Sequence, residues 1–395
     1  MHDVRARVRL RPGRERRVAG GHLWVYDNEI ARIEGRPEPG DLADVLTDRG
    51  RFLGRGDVNP RSKIRVRLLT RADEPVDETF FARRLEAAAA LRHRVVSDTT
   101  AYRLAFGEGD LLPGLIVDAY GDVLVAQALT AGMDRRLPML VELLVRQRGA
   151  RAVYLRNDAK SRALEGLPLG QGFAHGGGPT EVEIREGPAR FVVDVARGQK
   201  TGWFCDQREN RRAVAPLARD AHVIDAFCHT GAFGIHAALA GAASVLGIDA
   251  SADALALARR HAAHNGVAAR CAFREADVFD ELRRLAAAGP QADMVILDPP
   301  AFARSRAAVP RALAGYKELN LQALRLLRPG GLLVSCSCSW HVDEGMFWSA
   351  VTEAARDAKR DLRLIEFRSQ ARDHPMLAAM PETRYLKCLI LQVLG

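Results

Sequence analysis

From residue 221 onward the chain alternates apolar, strand-like runs with helical stretches, and no other pattern in it constrains the fold as much. The runs are "HVIDAF", "SVLGIDA", "RCAFRE", "ADMVILDPP", "GLLVSCS", "DLRLIEF" and "RYLKCLILQVL". Helices are expected between them over about 232–240, 252–264, 278–288, 311–328 and 343–360. Runs that are apolar on both faces belong to a sheet covered on both sides. Strand–helix alternation of this kind builds a doubly wound, mostly parallel α/β sheet. Such sheets bind ligands at the carboxyl ends of their strands, so the residues at those tips carry the functional reading.

The first tip opens into "IDAFCHTGAFG" (224–234), a strand, a loop with Gly231 and Gly234, and a helix start. Glycines there let the backbone approach a ligand closely, and the helix N-terminus favours polar or anionic groups. The pattern is not G-x-G-x-x-G, and by itself it also suits a plain tight turn. The second tip ends in Asp249, 24 residues after Asp225, near the ~20-residue interval at which an acid meets a ribose. The third tip, "EADVF", carries Asp277. Acids at successive tips beside a Gly loop, with no lysine among them, suit a neutral-to-cationic nucleoside such as S-adenosylmethionine. The fourth tip is "VILDPPAFARS", where Asp298-Pro299-Pro300 makes a rigid turn able to hold a carboxylate and carbonyls against a flat base. A helix N-cap aspartate followed by proline is the plainer reading of the same residues.

The fifth run ends in "SCSCSW", with Cys336 and Cys338 one residue apart. The chain has six cysteines and no C-x-x-C, too few and too scattered for a disulfide framework or a zinc site. Alternate strand residues stand ~6–7 Å apart and do not readily bridge. A reducing cytoplasm is the expected location. The two thiols are then either core residues or nucleophiles.

Ahead of residue 73 the pattern is different. "RARVRLR", "HLWVYDNEI", "GDLADVLTDRGRFLGRGDV" and "KIRVRLLT" read as short strands with turns at Gly40, Gly50, Gly54 and Gly56, a small β-barrel. Net charge is +9, and residues 1–71 hold 17 Lys or Arg against 10 Asp or Glu, nearly all the cations being arginine. Arginine forks onto phosphates and stacks on bases, although a solvated basic surface has the same composition. His22, Trp24 and Tyr26 are the aromatic candidates for stacking, with Trp24 also suited to the barrel core. No apolar run reaches the ~18 residues of a membrane span, and the basic N-terminus lacks the apolar stretch of a secretory signal. Between the two regions lie a helix at about 78–97, a hairpin around "DAYGD", a helix over 132–148, the strand "AVYLRND" and a second hairpin in "EVEIREGPARFVVDV".

Taken together, "GHLWVYDNEI", "GRGDVNPRSKIRVRLLT", "GDLLPGLIVDAYGD", "RNDAKSRALEG", "GQKTGWFCDQRENRR", "DAFCHTGAFG", "DPPAF", "GYKELN", "SCSW", "DHP" and "YLKC" resemble the bacterial RlmI-type 23S rRNA (cytosine-5)-methyltransferases over nearly the whole chain. The resemblance implies a PUA-like RNA-binding β-barrel over 1–72, a central α+β domain over 73–200 and a Rossmann-like, seven-stranded methyltransferase domain over 201–395. It implies S-adenosyl-L-methionine as cofactor, held by Phe227, Thr230, Gly231 and Gly234, with Asp249 on the ribose and Asp277 near the adenine. Gln207 and Arg208 of "DQREN" would lie at the entrance of the cofactor site. Cys338 would be the nucleophile that attacks carbon 6 of cytosine, and Cys336 a small core residue two positions deeper. Asp298 would orient the base, and the helix starting near Asp343 would help the thiolate form. The implied partner is large-subunit rRNA, naked or in a ribosomal precursor particle, with a homodimer as a further candidate and no membrane or metal. Two positions depart from the pattern: Trp340 stands where a glycine is expected, and Ala301 follows Pro300 where other RNA cytosine-5 enzymes carry a second cysteine. Methylation of a purine nitrogen and a non-catalytic ribosome-assembly role are the rival readings. The first has no use for a thiol at 338, and the second none for the tip acids.

Overall fold

A computed structural model describes residues 4–394, which fall into two compact units. Unit one holds residues 4–184, 192–205 and 372–383; unit two holds 185–191, 206–371 and 384–394.

Unit one begins with a six-stranded sheet of β1 (Ala6–Leu10), β2 (Trp24–Tyr26), β3 (Ile30–Glu34), β4 (Asp41–Leu46), β5 (Phe52–Val58) and β6 (Ile64–Thr70), in the order β2-β6-β5-β4-β1-β3. Inward residues alternate along these strands, so Val8, Val25, Val45, Val58 and Val66 make a dry core. Gly40 and Gly50 turn the chain at φ +90 and +86, as expected. Gly54 and Gly56 do not: both lie inside β5, paired with Val45 and Ala43. They are glycine because β6 passes too close for a side chain, a Cβ on Gly56 falling 2.1 Å from the Arg67 carbonyl oxygen.

α1 (Glu15–Ala19) packs on this first sheet, with Val18 in its core. The rest of unit one packs α2 (Glu78–Val95), α3 (Ala131–Arg135) and α4 (Leu137–Arg148) with a five-stranded sheet. Its strands are β7 (Ala101–Phe106), β8 (Leu115–Tyr120), β9 (Val123–Ala128), β10 (Ala152–Asn157) and β11 (Gly170–His175), in the order β11-β10-β9-β8-β7. The helix expected over 132–148 breaks at Arg136, because Pro138 has no N–H to continue the first helix and instead starts the second. Two ion pairs tie the first sheet to segments that flank the second, Arg67 to buried Glu165 at 2.9 Å and buried Arg136 to buried Asp57 at 2.8 Å.

The hairpin β12 (Glu181–Glu186) and β13 (Ala189–Asp194) divides between the units, its tip belonging to unit two. There Arg211 donates to both oxygens of Glu186 at 2.6 and 2.7 Å, and His236 approaches at 3.1 Å. Burial pushes the Glu186 carboxyl up, but the Arg211 guanidinium and His236 outweigh it and hold the group far below the usual range. Glu186→Ala leaves the buried Arg211 charge uncompensated and is expected to cost about 3–5 kcal/mol. The checking measurement is a shift of the urea midpoint at unchanged slope. The stabilisation is fully present above the ordinary glutamate range and is lost as pH falls from there through the group's depressed folded value.

The doubly wound fold of unit two comprises α5 (Arg208–Val214), β14 (His222–Ala226), α6 (Ala232–Leu239), β15 (Ser244–Asp249), α7 (Ala252–His264), β16 (Cys271–Glu275), α8 (Val278–Ala286), β17 (Ala292–Leu297), α9 (Val309–Leu326), β18 (Leu327–Ser337), α10 (Glu344–Ala358), β19 (Leu362–Arg368) and β20 (Lys387–Val393). The seven strands run β16-β15-β14-β17-β18-β20-β19. The first five in that order are parallel, and β20 lies antiparallel between β18 and β19. All the predicted tip residues therefore share one edge. β18 starts four residues earlier than expected, at Leu327. Among the described residues no helix is long and apolar enough to cross a membrane.

Candidate active site

The loop after β14 is wound unusually tightly. Phe227, His229 and Gly231 all take left-handed conformations, at φ 61, 49 and 81. Only glycine does this freely, so the other two are held there by their surroundings. The Cys228 N–H donates to the Ile248 carbonyl at 3.1 Å, the His229 N–H to Asp249 Oδ2 at 2.9 Å, and the Gly231 N–H to the Cys228 carbonyl at 2.8 Å. The Thr230 carbonyl accepts from buried His261 at 3.0 Å. Gly234 plays a different part. A Cβ there would meet Val245 Cγ1 at 2.7 Å, so this glycine lets α6 close onto β15 while its N–H donates to Asp225 Oδ2 at 2.9 Å.

The acids around this loop act on one another. Burial first, then the Asp298 and Asp249 charges, push the Asp225 carboxyl up to about 7. That negative potential suits a cationic ligand, as the sulfonium of S-adenosylmethionine would be. Asp249 is fixed by one backbone donor on each oxygen, His229 N–H and Ser251 N–H, both at 2.9 Å, which orients it and leaves lone pairs for a ligand. Asp277 is exposed and caps α8 through the Asp280 N–H at 3.1 Å.

Gln207 is buried and donates to Asp298 Oδ1 at 2.8 Å. Its own oxygen accepts from Asn210 at 2.6 Å, and Asn210 accepts from Arg368 at 3.0 Å. The structure thus brings Gln207 to the Asp298 carboxylate of the Asp-Pro-Pro turn, while the neighbouring Arg208 is fully buried, at 1% exposure, and not at an open entrance.

At the tip of β18 the two thiols separate clearly. Cys336 is fully buried and lies across from Cys388, and that contact together with burial pushes its thiol well up. Cys228 and Cys271 are also pushed up, chiefly by burial, Cys271 to about 11. Cys338 is half-buried, with Sγ 3.9 Å from the Pro299 carbonyl of the Asp-Pro-Pro turn.

A buried network ties these two segments together. Ser339 Oγ accepts from the N–H groups of Phe302 and Ala303 at 2.9 and 3.1 Å and shares a 2.9 Å hydrogen bond with the Tyr316 hydroxyl. Ser337 donates to the same hydroxyl at 2.9 Å. Beneath the tip lies Lys387, whose ammonium bonds three carbonyls. Tyr316, Ser339 and Lys387 were present in "GYKELN", "SCSW" and "YLKC", but nothing in their spacing assigned them a role. The expected help from α10 meets an obstacle, since Asp343 itself caps that helix through the Met346 N–H at 2.8 Å. Trp340 is 49% exposed and packs edge-on to His341, so it sits on the surface of the tip.

In unit one, His22 is buried and bonded to Arg17 and Glu382, which removes it as a stacking candidate. Trp24 is half-buried and its ring N–H donates to Glu108 at 2.8 Å. Tyr26 lies under the Arg17 guanidinium at 4.9 Å.

Comparison with known proteins adds five findings. Residues 8–71 match the model of a PUA-like domain, and residues 172–391 that of the S-adenosylmethionine-dependent methyltransferases. The chain is 43% identical over 393 residues to a protein of Shewanella denitrificans named ribosomal RNA large subunit methyltransferase I, covering 98% of this chain and 99% of the relative. A protein of Alteromonas mediterranea with the same name is 41% identical over 392 residues, with the same coverage. Among solved structures, the protein SMU.776 complexed with SAH aligns at a TM-score of 0.85 and 21% identity, over 99% of this chain and 100% of that one, a likeness of fold.

Proposed function

The chain belongs to the ribosomal RNA large subunit methyltransferase I family and uses S-adenosylmethionine, and on that premise we propose that it methylates carbon 5 of a cytosine in large-subunit rRNA through a covalent adduct on Cys338. The observation that carries this reading is the half-buried Cys338 thiol against the Asp298-Pro299-Pro300 turn, beside a buried ammonium.

Carbon 5 of cytosine is a poor nucleophile, and the proposed chemistry corrects that. The Cys338 thiolate adds to carbon 6, and the electrons of the 5,6 double bond move to carbon 5. Bound S-adenosylmethionine supplies an electrophilic methyl group. Carbon 5 takes the methyl, a base then removes its proton, and the double bond re-forms as the Cys338 thiolate leaves. Asp298 orients the base through its Watson–Crick edge, held for that task by Gln207. Phe227, Thr230, Gly231 and Gly234 form or support the loop that faces the cofactor, with Asp249 on the ribose, Asp277 near the adenine and Arg208 behind Gln207.

The target nucleotide must be unpaired or flipped to reach a thiol at a strand tip. We assign RNA grip to residues 1–72, where Arg5, Arg7, Arg14, Arg16, Arg36 and Arg51 are exposed, and keep 73–200 and 201–395 as the central and methyltransferase domains. The RNA is naked or carried in a precursor particle in the cytoplasm. The test is incubation with labelled S-adenosylmethionine and unmodified large-subunit rRNA, digestion to nucleosides and identification of the product. Label in 5-methylcytidine supports the reading, and label in a methylated purine overturns it.

A further inference from the structure

Lys387 opens β20 and pairs across the sheet with Ser337, the residue before the nucleophile proposed above. It is 4% exposed, yet carries a charge. Its Nζ donates to the carbonyls of Ser339 at 2.8 Å, Val342 at 2.8 Å and Tyr385 at 2.9 Å. Three carbonyl partners need three N–H groups, which only the protonated amine has. Two of those carbonyls bracket the 339–342 turn that follows Cys338, closed by the Val342 N–H to Ser339 carbonyl bond at 3.2 Å.

The charges acting on this ammonium come from three segments. Cys338 on the β18 tip acts on it, as do Asp343 and Glu344 at the start of α10, all favouring the cation, while Arg384 before β20 opposes it. Glu344 is itself paired with Arg384. On the far side of Cys338, α9 presents Tyr316, whose hydroxyl is pushed up by burial and by the Cys338 charge. The Asp-Pro-Pro turn meets the thiol through the Pro299 carbonyl at 3.9 Å.

We propose that Lys387 is the positioning residue of Cys338, its ammonium fixing the turn after the thiol and supplying the positive charge against which the thiolate forms. This rests on the reading of Cys338 as nucleophile. The coupling is reciprocal: a thiolate that favours the Lys387 cation is favoured by it to the same extent. Burial draws the ammonium down to about 8 against the pull of its anionic neighbours, so the cation persists at neutral pH and fades above it.

The test measures the pH midpoint of iodoacetamide alkylation at Cys338, read by peptide mass spectrometry in the full-length protein and in Lys387→Met and Lys387→Arg. In the unmodified protein the midpoint is expected below the ~8.5 of a free thiol. It should rise by about 1 unit or more in Lys387→Met and stay near the original in Lys387→Arg. Methyl transfer at pH 7 should fall at least ~10-fold in Lys387→Met, and less at pH 9, with KM for S-adenosylmethionine unchanged. A midpoint at or above 8.5 in the unmodified protein overturns the proposal, and needs no variant to fold. So does an unmoved midpoint in a Lys387→Met protein that still melts cooperatively and binds S-adenosylhomocysteine. The midpoints do not depend on turnover, so an active Cys338→Ala protein would instead count against the nucleophile itself.

Discussion

Cys338→Ala is expected to lower methyl transfer by at least about three orders of magnitude, some 4 kcal/mol of transition-state stabilisation. On the proposed mechanism, without Sγ there is no adduct at carbon 6, and carbon 5 stays a poor nucleophile. Cys336→Ala should retain most activity. That thiol is fully buried between strands, faces Cys388, and is pushed well above the ordinary range, so it can neither reach a base nor ionise at neutral pH. Its loss should register as about 1 kcal/mol of stability from the small cavity left behind. Single-turnover kinetics and thermal melts on the two variants separate these effects. Equal activity loss in both would mean that the tip tolerates no change in packing and that the contrast between the thiols is not chemical.

The second large effect is expected from Asp298→Asn, a loss of about 10²–10³-fold in kcat. The substitution preserves shape and leaves an oxygen to accept from Gln207, so the chain through Asn210 to Arg368 survives. What goes is the negative charge that the proposed mechanism sets beside the base and the cofactor. KM for S-adenosylmethionine should rise by less than about 10-fold, because Asp225 and Asp249 still supply negative potential. A second signature is independent of turnover. The Asp298 charge helps hold the Asp225 carboxyl up near 7, so Asp225 should titrate lower in the variant. Carbon-detected NMR of the aspartates reads that shift, which a mere loss of packing would not produce.

The edge that holds the candidate site was legible in the sequence because buried parallel strands leave continuous apolar runs, and their last polar residues mark the carboxyl ends. Asp249, Asp298 and Cys338 were placed at strand tips that way, and they lie at the ends of β15, β17 and β18. The tie between Gln207 and Asp298 was not, since it joins positions 91 residues apart. Lys387 was hidden for a related reason: only the insertion of β20 between β18 and β19 puts it under the Cys338 turn. Gly54 and Gly56 read as turns because glycine has two uses, and the close passage of β6 is a long-range fact. The segment 372–383 follows β19 in sequence but belongs to unit one, where Asp373 accepts from the Arg103 N–H at 2.9 Å and Met380 enters the core around β1. The local pattern of "DHP" gives no hint of that destination.

The central claim is that Cys338 bonds to carbon 6 of a cytosine. RNA carrying 5-fluorocytidine at the target position tests it most directly, because fluorine at carbon 5 cannot leave as a proton does and the adduct is trapped after methyl transfer. The account predicts a denaturant-stable protein–RNA complex that forms only with S-adenosylmethionine, maps to Cys338 by mass spectrometry and is absent in Cys338→Ala. Methylation of the natural RNA with no trapped complex, or a complex mapping to another residue, would contradict it.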